Sequence, residues 1–391
     1  MAFMGHFYSA NNRREKRSAK KVLSVTGGIF CTALTALLLM MVAGGSGITQ
    51  VPVKSGSELG LMDRYDMAIG NAVSDAVDGV LSIDKVYFLS DDAPAAPKPN
   101  PECQGETEDP AQMKGILEDA RKRLNIEEDL IFSTDTQILP GTKIRYYLDD
   151  TIFSVTWKQP VGTCIYSFSE VKIAHPSQFR RFLSGNQYGS GVLYTASEMA
   201  ESVNAVTASS ADYYAYRKAG CMVYNGRVCR VEENTLDTCF IDDKGDLLFS
   251  KVRAPETASK KAVQDYVNKH NIRFSLAFGP VLIDEGEVTC PRRYGLGEID
   301  ECLSRAALCQ QGPLHYVVVT ANLENYYPTP PTIWEFSGNL AAMGIQKAYA
   351  MDGGQTATLI ANNEIVNCIS YGNERMISDI IYFATAIPEQ K

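Results

Sequence analysis

The spacing of hydrophobic positions changes three times along this chain. From Val22 to Ala43 nearly every residue is apolar, and no charged side chain occurs between Lys21 and Lys54. Those residues would span about 33 Å as a helix, enough to cross a hydrocarbon core of ~30 Å. Leu61, Tyr65, Ile69, Val73 and Val77 then recur every four positions, the stripe of an amphipathic helix read here as a membrane-proximal stalk. Asp91 to Pro110 is rich in Pro, Asp and Ala and reads as a linker. Met113, Ile116, Leu117, Ala120 and Leu124 mark a short amphipathic helix.

From Lys143 the period falls to two. Ile144, Tyr146 and Leu148, then Ile152 to Trp157, then Cys164, Tyr166 and Phe168 predict three strands. Gly220 to Tyr224 before an Asn225-Gly226 turn, and Thr238 to Ile241 and Leu247 to Val252 about a Lys244-Gly245 turn, predict hairpins. Thr257 to Asn271 reads as a helix, and the apolar run Leu314 to Thr320 as a central strand buried on both faces. Thr332 and Glu335 form a capping box for a helix that runs through Leu340 and Met343 and stops at Gly344. A strand then ends at Asp352-Gly353-Gly354. The fold class expected is α+β, a mixed sheet core with covering helices, with Asp352 near a sheet edge and an N-terminal transmembrane helix and helical stalk ahead of it.

Charge sharpens the topology. The chain has 391 residues and a net charge of −9. Residues 1–21 hold six basic side chains against Glu15, or +5, so the rest carries −14. A body that acidic excludes nucleic acid as a partner. The basic cluster before the apolar span predicts a cytoplasmic N-terminus. An uncleaved anchor is favoured over a signal peptide, whose apolar region is usually shorter. The expected organisation is a cytoplasmic tail (1–21), an anchor (22–43), a stalk, linker and short helices (44–142) and a domain at 143–391 outside the cytoplasm. No N-x-Ser/Thr sequon occurs, which points to a bacterial surface protein.

An oxidising exterior makes disulfides an expectation, first Cys221–Cys229 across the Asn225-Gly226 turn, then Cys290–Cys302. No C-x-x-C occurs and the four histidines stand apart, which argues against zinc. No cofactor is expected, although Asp149, Asp150, Asp212, Asp242 and Asp352 would suit a bound Ca²⁺; no loop has EF-hand spacing.

An acid at a strand end, beside bare amides and the Thr356 hydroxyl, suits an anionic or sugar ligand. With the elements in order, residues 143–386 resemble the phosphodiester glycosidase family. The resemblance rests on Ala348-Tyr-Ala-Met-Asp-Gly-Gly-Gln-Thr-Ala-Thr-Leu359, Gly372-Asn-Glu-Arg-Met-Ile-Ser-Asp379, Asp212-Tyr-Tyr-Ala-Tyr-Arg-Lys-Ala-Gly220 with the Asn225-Gly226 turn, Phe278-Gly-Pro-Val-Leu282 and Arg305-Ala-Ala-Leu308. It implies cleavage of a sugar 1-phosphodiester through an oxocarbenium-like transition state. Asp352 is the candidate carboxylate, Arg305 and Arg375 candidate phosphate clamps, and Glu374 a second carboxylate or an arginine-orienting group. Asp212, Tyr213, Gly353, Gly354, Gln355 and Thr356 are candidate substrate contacts.

Each of these residues has a plainer reading: Glu374 and Arg375 as a loop ion pair, Asp212 as a turn cap, Arg305 as solvated surface, Tyr213 as packing. Asp379 is expected on an edge strand or turn. The chain also departs from the family pattern at Ser210-Ala211, Ala306, Asn322-Leu323-Glu324 and Gln355. Glu324 stands where the family has an arginine, so it would repel phosphate. A non-catalytic carbohydrate-binding or scaffold protein on the same fold is therefore the rival reading to a membrane-anchored hydrolase of surface polysaccharide or wall polymer.

Overall fold

The computed structural model describes residue 89 and residues 95–294, 300–324 and 329–387. The expected anchor and stalk helix lie outside the described residues. Among the described residues, no helix is long and apolar enough to cross a membrane.

Four helices and a series of short strands organise the described chain. In order, the first strands are β1 (Gln104–Thr107), β2 (Ile144–Leu148), β3 (Ile152–Val161), β4 (Cys164–Ile173), β5 (Phe179–Leu183) and β6 (Thr207–Ser210). Next come β7 (Gly220–Tyr224), β8 (Arg227–Glu232), β9 (Thr238–Ile241), β10 (Leu247–Ser250), β11 (Phe274–Leu276), β12 (Val281–Asp284) and β13 (Glu287–Val288). The last are β14 (Arg305–Gly312), β15 (His315–Asn322), β16 (Lys347–Met351), β17 (Leu359–Ala361), β18 (Glu364–Ile365) and β19 (Asp379–Phe383). The helices are α1 (Lys114–Leu124), α2 (Ala196–Ser202), α3 (Lys260–His270) and α4 (Ile333–Ala342).

The largest sheet has the order β1-β2-β3-β4-β15-β14-β16-β12-β13, and a second sheet the order β18-β17-β6-β19-β5. Val317, Val319 and Ala321 of β15 pack toward α1 and α4. Tyr316 and Val318 point the other way, onto Phe179, Leu359 and Phe383 of the second sheet and Cys239, Ile241 and Leu276 of the three-stranded β10-β9-β11 sheet. Met199 and Ala200 of α2 cover the far face of the second sheet. The layers thus run helix, sheet, sheet, helix, and the period-two alternation of β15 is what places two cores on one strand.

The position expected for Asp352 near a sheet edge fails, because β14 inserts between β15 and β16 and runs antiparallel to both, and β12 pairs with the other side of β16. Every pairing among the described residues is antiparallel, and β16 is an interior strand rather than an edge. Part of the expected linker, residues 104–107, forms edge strand β1 on β2. Helix α4 does open on the Thr332–Glu335 capping box, and the chain leaves it at Gly344 with φ +84°.

The expected disulfides are absent: all four thiols are free. The β7–β8 register explains the first pair. Cys221 faces Val231, and a bulge beside Met222 and Val223 leaves Cys229 outside the ladder. Cys221 therefore packs with Phe240 and Val263, whereas Cys229 lies against Tyr214 and Met222 on the opposite face. In the second pair, Cys290 is buried and Cys302 exposed.

Candidate active site

At one end of the large sheet, the start of β14, the end of β16 and the loop before β12 lie side by side. With the loops after β6 and before β19 they enclose a cleft of about 410 Å³. Its walls include Tyr213, Tyr216, Arg217, Phe278, Arg305, Asp352, Gly353, Gly354, Gln355 and Arg375. Of the expected residues, Asp352, Arg305, Arg375, Tyr213, Gly353, Gly354 and Gln355 meet here. Asp212, Thr356 and Glu374 do not line it.

Asp352 follows β16 directly, and its backbone N–H donates to Ala211 O at 2.9 Å, which ties the strand end to the loop after β6. The next residue has to be glycine: a Cβ on Gly353 would lie 2.4 Å from Ser304 O. That close approach lets Gly354 N donate to the same carbonyl at 2.7 Å. The Asp352 side chain is buried and its Oδ2 has no hydrogen-bond partner. Burial pushes its carboxyl up from 3.8 to about 7, partly offset by the adjacent Thr356 hydroxyl and by the charges of Arg375 and Arg217. Thr356 Oγ1 lies nearby but, like Oδ2, is itself without a formed hydrogen bond.

Arg375 donates to Tyr213 Oη at 3.1 Å, and its guanidinium lies 5.3 Å from the Tyr213 ring and 5.1 Å from that of Tyr216. The two tyrosine rings stack at 4.8 Å. Arg305 is held by main-chain oxygens: it donates to Glu301 O and, at 3.4 Å, to Pro331 O. Glu374 accepts from the Ser197 backbone N–H at 3.1 Å and from the Ser197 hydroxyl, so it caps the first turn of α2. That is a different role from either expected for it.

Asp212 lies behind the cleft wall. Its carboxylate accepts from Tyr213 N at 2.7 Å, Ala277 N at 2.8 Å and Arg181 Nη2 at 3.3 Å. Arg181 also binds Asp379 at 2.6 Å. Asp379 sits on β19, between β6 and β5, fully buried, not on an edge or turn. Burial, with Asp212 close by, raises its carboxyl to about 6 against the pull of Arg181. This triad anchors both Tyr213 and the Ala277–Pro280 segment, two walls of the cleft.

Glu324, expected to repel phosphate, is paired through both oxygens with Lys158 at 2.9 Å and does not line the cleft. Among the described residues no group of metal-ligating side chains converges, the five aspartates considered for Ca²⁺ included. Arg217 lies within the Asp212–Gly220 block that carries the resemblance but was not among the expected site residues.

Comparison with known proteins agrees with the fold. Residues 200–384 match the phosphodiester glycosidase family. That is a family of glycosidase-type hydrolases, and the match contains every cleft residue named above. The zebrafish N-acetylglucosamine-1-phosphodiester alpha-N-acetylglucosaminidase catalytic domain, auto-inhibited by its pro-peptide, is 13% identical with a TM-score of 0.50. The alignment covers 68% of this chain and 93% of that one, and at that identity shows a shared fold. A hypothetical protein from Synechocystis (10% identity, TM-score 0.43) covers 64% of each chain. A putative exported protein from Burkholderia pseudomallei (11%, TM-score 0.41) covers 57% of this chain and 74% of its own. No protein in the curated set matches.

Proposed function

We propose that this chain is a membrane-anchored, extracytoplasmic hydrolase that cleaves an N-acetylglucosamine-like glycosyl 1-phosphodiester in surface polysaccharide or wall polymer. One observation carries the reading: a buried carboxylate with an unpartnered oxygen, Asp352, shares a cleft with three arginines inside the segment that matches the family. A carboxyl near 7 is divided between its acid and base forms at neutral pH, the condition for proton transfer or for stabilising positive charge. In its ionised form Asp352 faces the developing oxocarbenium charge, as nucleophile, base or electrostatic stabiliser. The cationic wall holds the departing phosphate, a leaving group that needs little protonation.

The rival reading has its own support. Asp352 is the one carboxylate among the described residues lining the cleft, and a glycosidase usually brings two. A tyrosine pair backed by an arginine is also a sound sugar-binding surface. The deciding experiment presents the full-length protein in detergent with aryl- and nucleoside-diphosphate-linked N-acetylglucosamine and follows sugar release. Turnover that Asp352→Asn abolishes supports the hydrolase; saturable binding with no turnover of any donor supports the binding protein. Reporter fusions at residues 5 and 391 test the topology, with an exported N-terminal reporter overturning it.

A further inference from the structure

The cleft holds a cation that no expectation had placed there. Arg217 donates through Nη2 to Ala277 O at 3.1 Å, and its guanidinium lies 4.9 Å from the Phe278 ring. Its other terminal nitrogen, Nη1, is buried with no hydrogen-bond partner. A charged donor left unsatisfied and out of water is costly unless a ligand completes it. Two acceptor-capable atoms of the same region, Asp352 Oδ2 and Thr356 Oγ1, are also buried and unpartnered. Arg217 and Asp352 feel each other's charge, yet neither atom serves the other. Arg305, by contrast, spends hydrogen bonds on the Glu301 and Pro331 carbonyls.

We propose that Arg217, rather than Arg305, is the principal phosphate-binding residue of this cleft. It donates through Nη1 to a non-bridging phosphoryl oxygen of the ligand, opposite Arg375. The Phe278 face and the Ala277 carbonyl fix the guanidinium plane, so the free edge is oriented before the ligand arrives. The sugar then lies toward Asp352. The ligand class is a glycosyl phosphate or phosphodiester, and the assignment deepens the proposed function by fixing where its phosphate sits.

The test measures binding apart from turnover. Calorimetry with inorganic phosphate and with N-acetylglucosamine 1-phosphate is run on the full-length wild type, R217Q and R217K, with melting temperatures in parallel. R217Q is expected to weaken both ligands by about tenfold or more, the worth of one hydrogen bond to a charged group, with its melting temperature within a few degrees of wild type. R217K keeps the charge but not the fork; it is expected to bind several-fold more weakly than wild type, and it decides the matter should R217Q fail to fold. Unchanged affinity in the folded variants overturns the assignment. So does a wild type that hydrolyses the diester but binds neither phosphate ligand, a result that leaves the proposed hydrolysis standing. A protein without turnover whose phosphate binding still falls in R217Q supports the assignment while removing the hydrolysis.

Discussion

Two groups of buried acid stand at the cleft, Asp352 lining it and the Asp212–Asp379 pair behind it, and their partners set them apart. Asp212 and Asp379 share Arg181, whose side chain is fully buried, and accept from backbone N–H groups of neighbouring segments. Their lone pairs are used, and their charge holds loops in place. Asp352 is buried nearly as well but keeps an oxygen without a donor. Desolvation alone does not mark a reactive acid; desolvation without a hydrogen-bonded counter-ion does.

The sharpest way to break that contrast is to remove the arginine. Arg181→Met leaves two carboxyls buried without their cation, so a loss of about 3–5 kcal/mol in unfolding free energy is expected, measured by denaturant titration. A loss under 1 kcal/mol would mean that the pair is not held by charge.

Asp352→Asn comes next, with a fall of ~10² or more in kcat for a glycosyl phosphodiester, the order of one electrostatic stabiliser in a desolvated site. In the wild type the pH–rate profile should bend near 7, where Asp352 titrates. Stability gives an independent reading. The folded-state value lies above the unfolded 3.8, so between those pH values the folded chain binds the extra proton. The contribution to stability is full below about pH 4 and is lost as pH rises toward 7. Asp352→Asn removes this loss, so its melting temperature should gain on wild type at pH 8 and match it near pH 4. An equal difference at both pH values would show that Asp352 is not buried as an acid.

The two acid groups were not equally readable in the sequence. Asp352 was, because Asp-Gly-Gly after an apolar strand is a local signal, and the Gly353 carbonyl contact explains why the motif needs glycine. The helix caps, the strands β2–β4 and the buried run of β15 are local in the same sense. The triad is not: Arg181, Asp212 and Asp379 come from β5, the loop after β6 and β19, and only the β5-β19-β6 pairing brings them together. Glu374 was misread for the same reason, since its partner Ser197 lies 177 positions away. The edge position expected for Asp352 failed because nothing local announces that β14 inserts between β15 and β16, and the Cys221–Cys229 pairing failed on one bulged residue.

Smaller effects sharpen the contrast at its edges. Gly353→Ala pushes a methyl against the Ser304 carbonyl, a backbone atom that cannot rotate away. A loss of about 1–3 kcal/mol is expected, together with reduced kcat, since Asp352 precedes the displaced peptide. Wild-type stability and rate in that variant would show that the strand ends are looser than this contact implies.

The smallest expected effect is the most discriminating for mechanism. Glu374→Gln keeps the shape and can still accept from Ser197, but loses the charge that complements the first turn of α2. A cost of about 0.5–1 kcal/mol follows if capping is its whole function, with kcat for the phosphodiester within about twofold, since its carboxylate faces Ser197 and not the cleft. Had Glu374 been a second working carboxylate, removing its charge would instead slow turnover by orders of magnitude while barely touching the melting temperature. The two outcomes move different observables. A large drop in kcat for Glu374→Gln would place both acids in the reaction and erase the distinction between the solitary acid in the cleft and the acids that hold its walls.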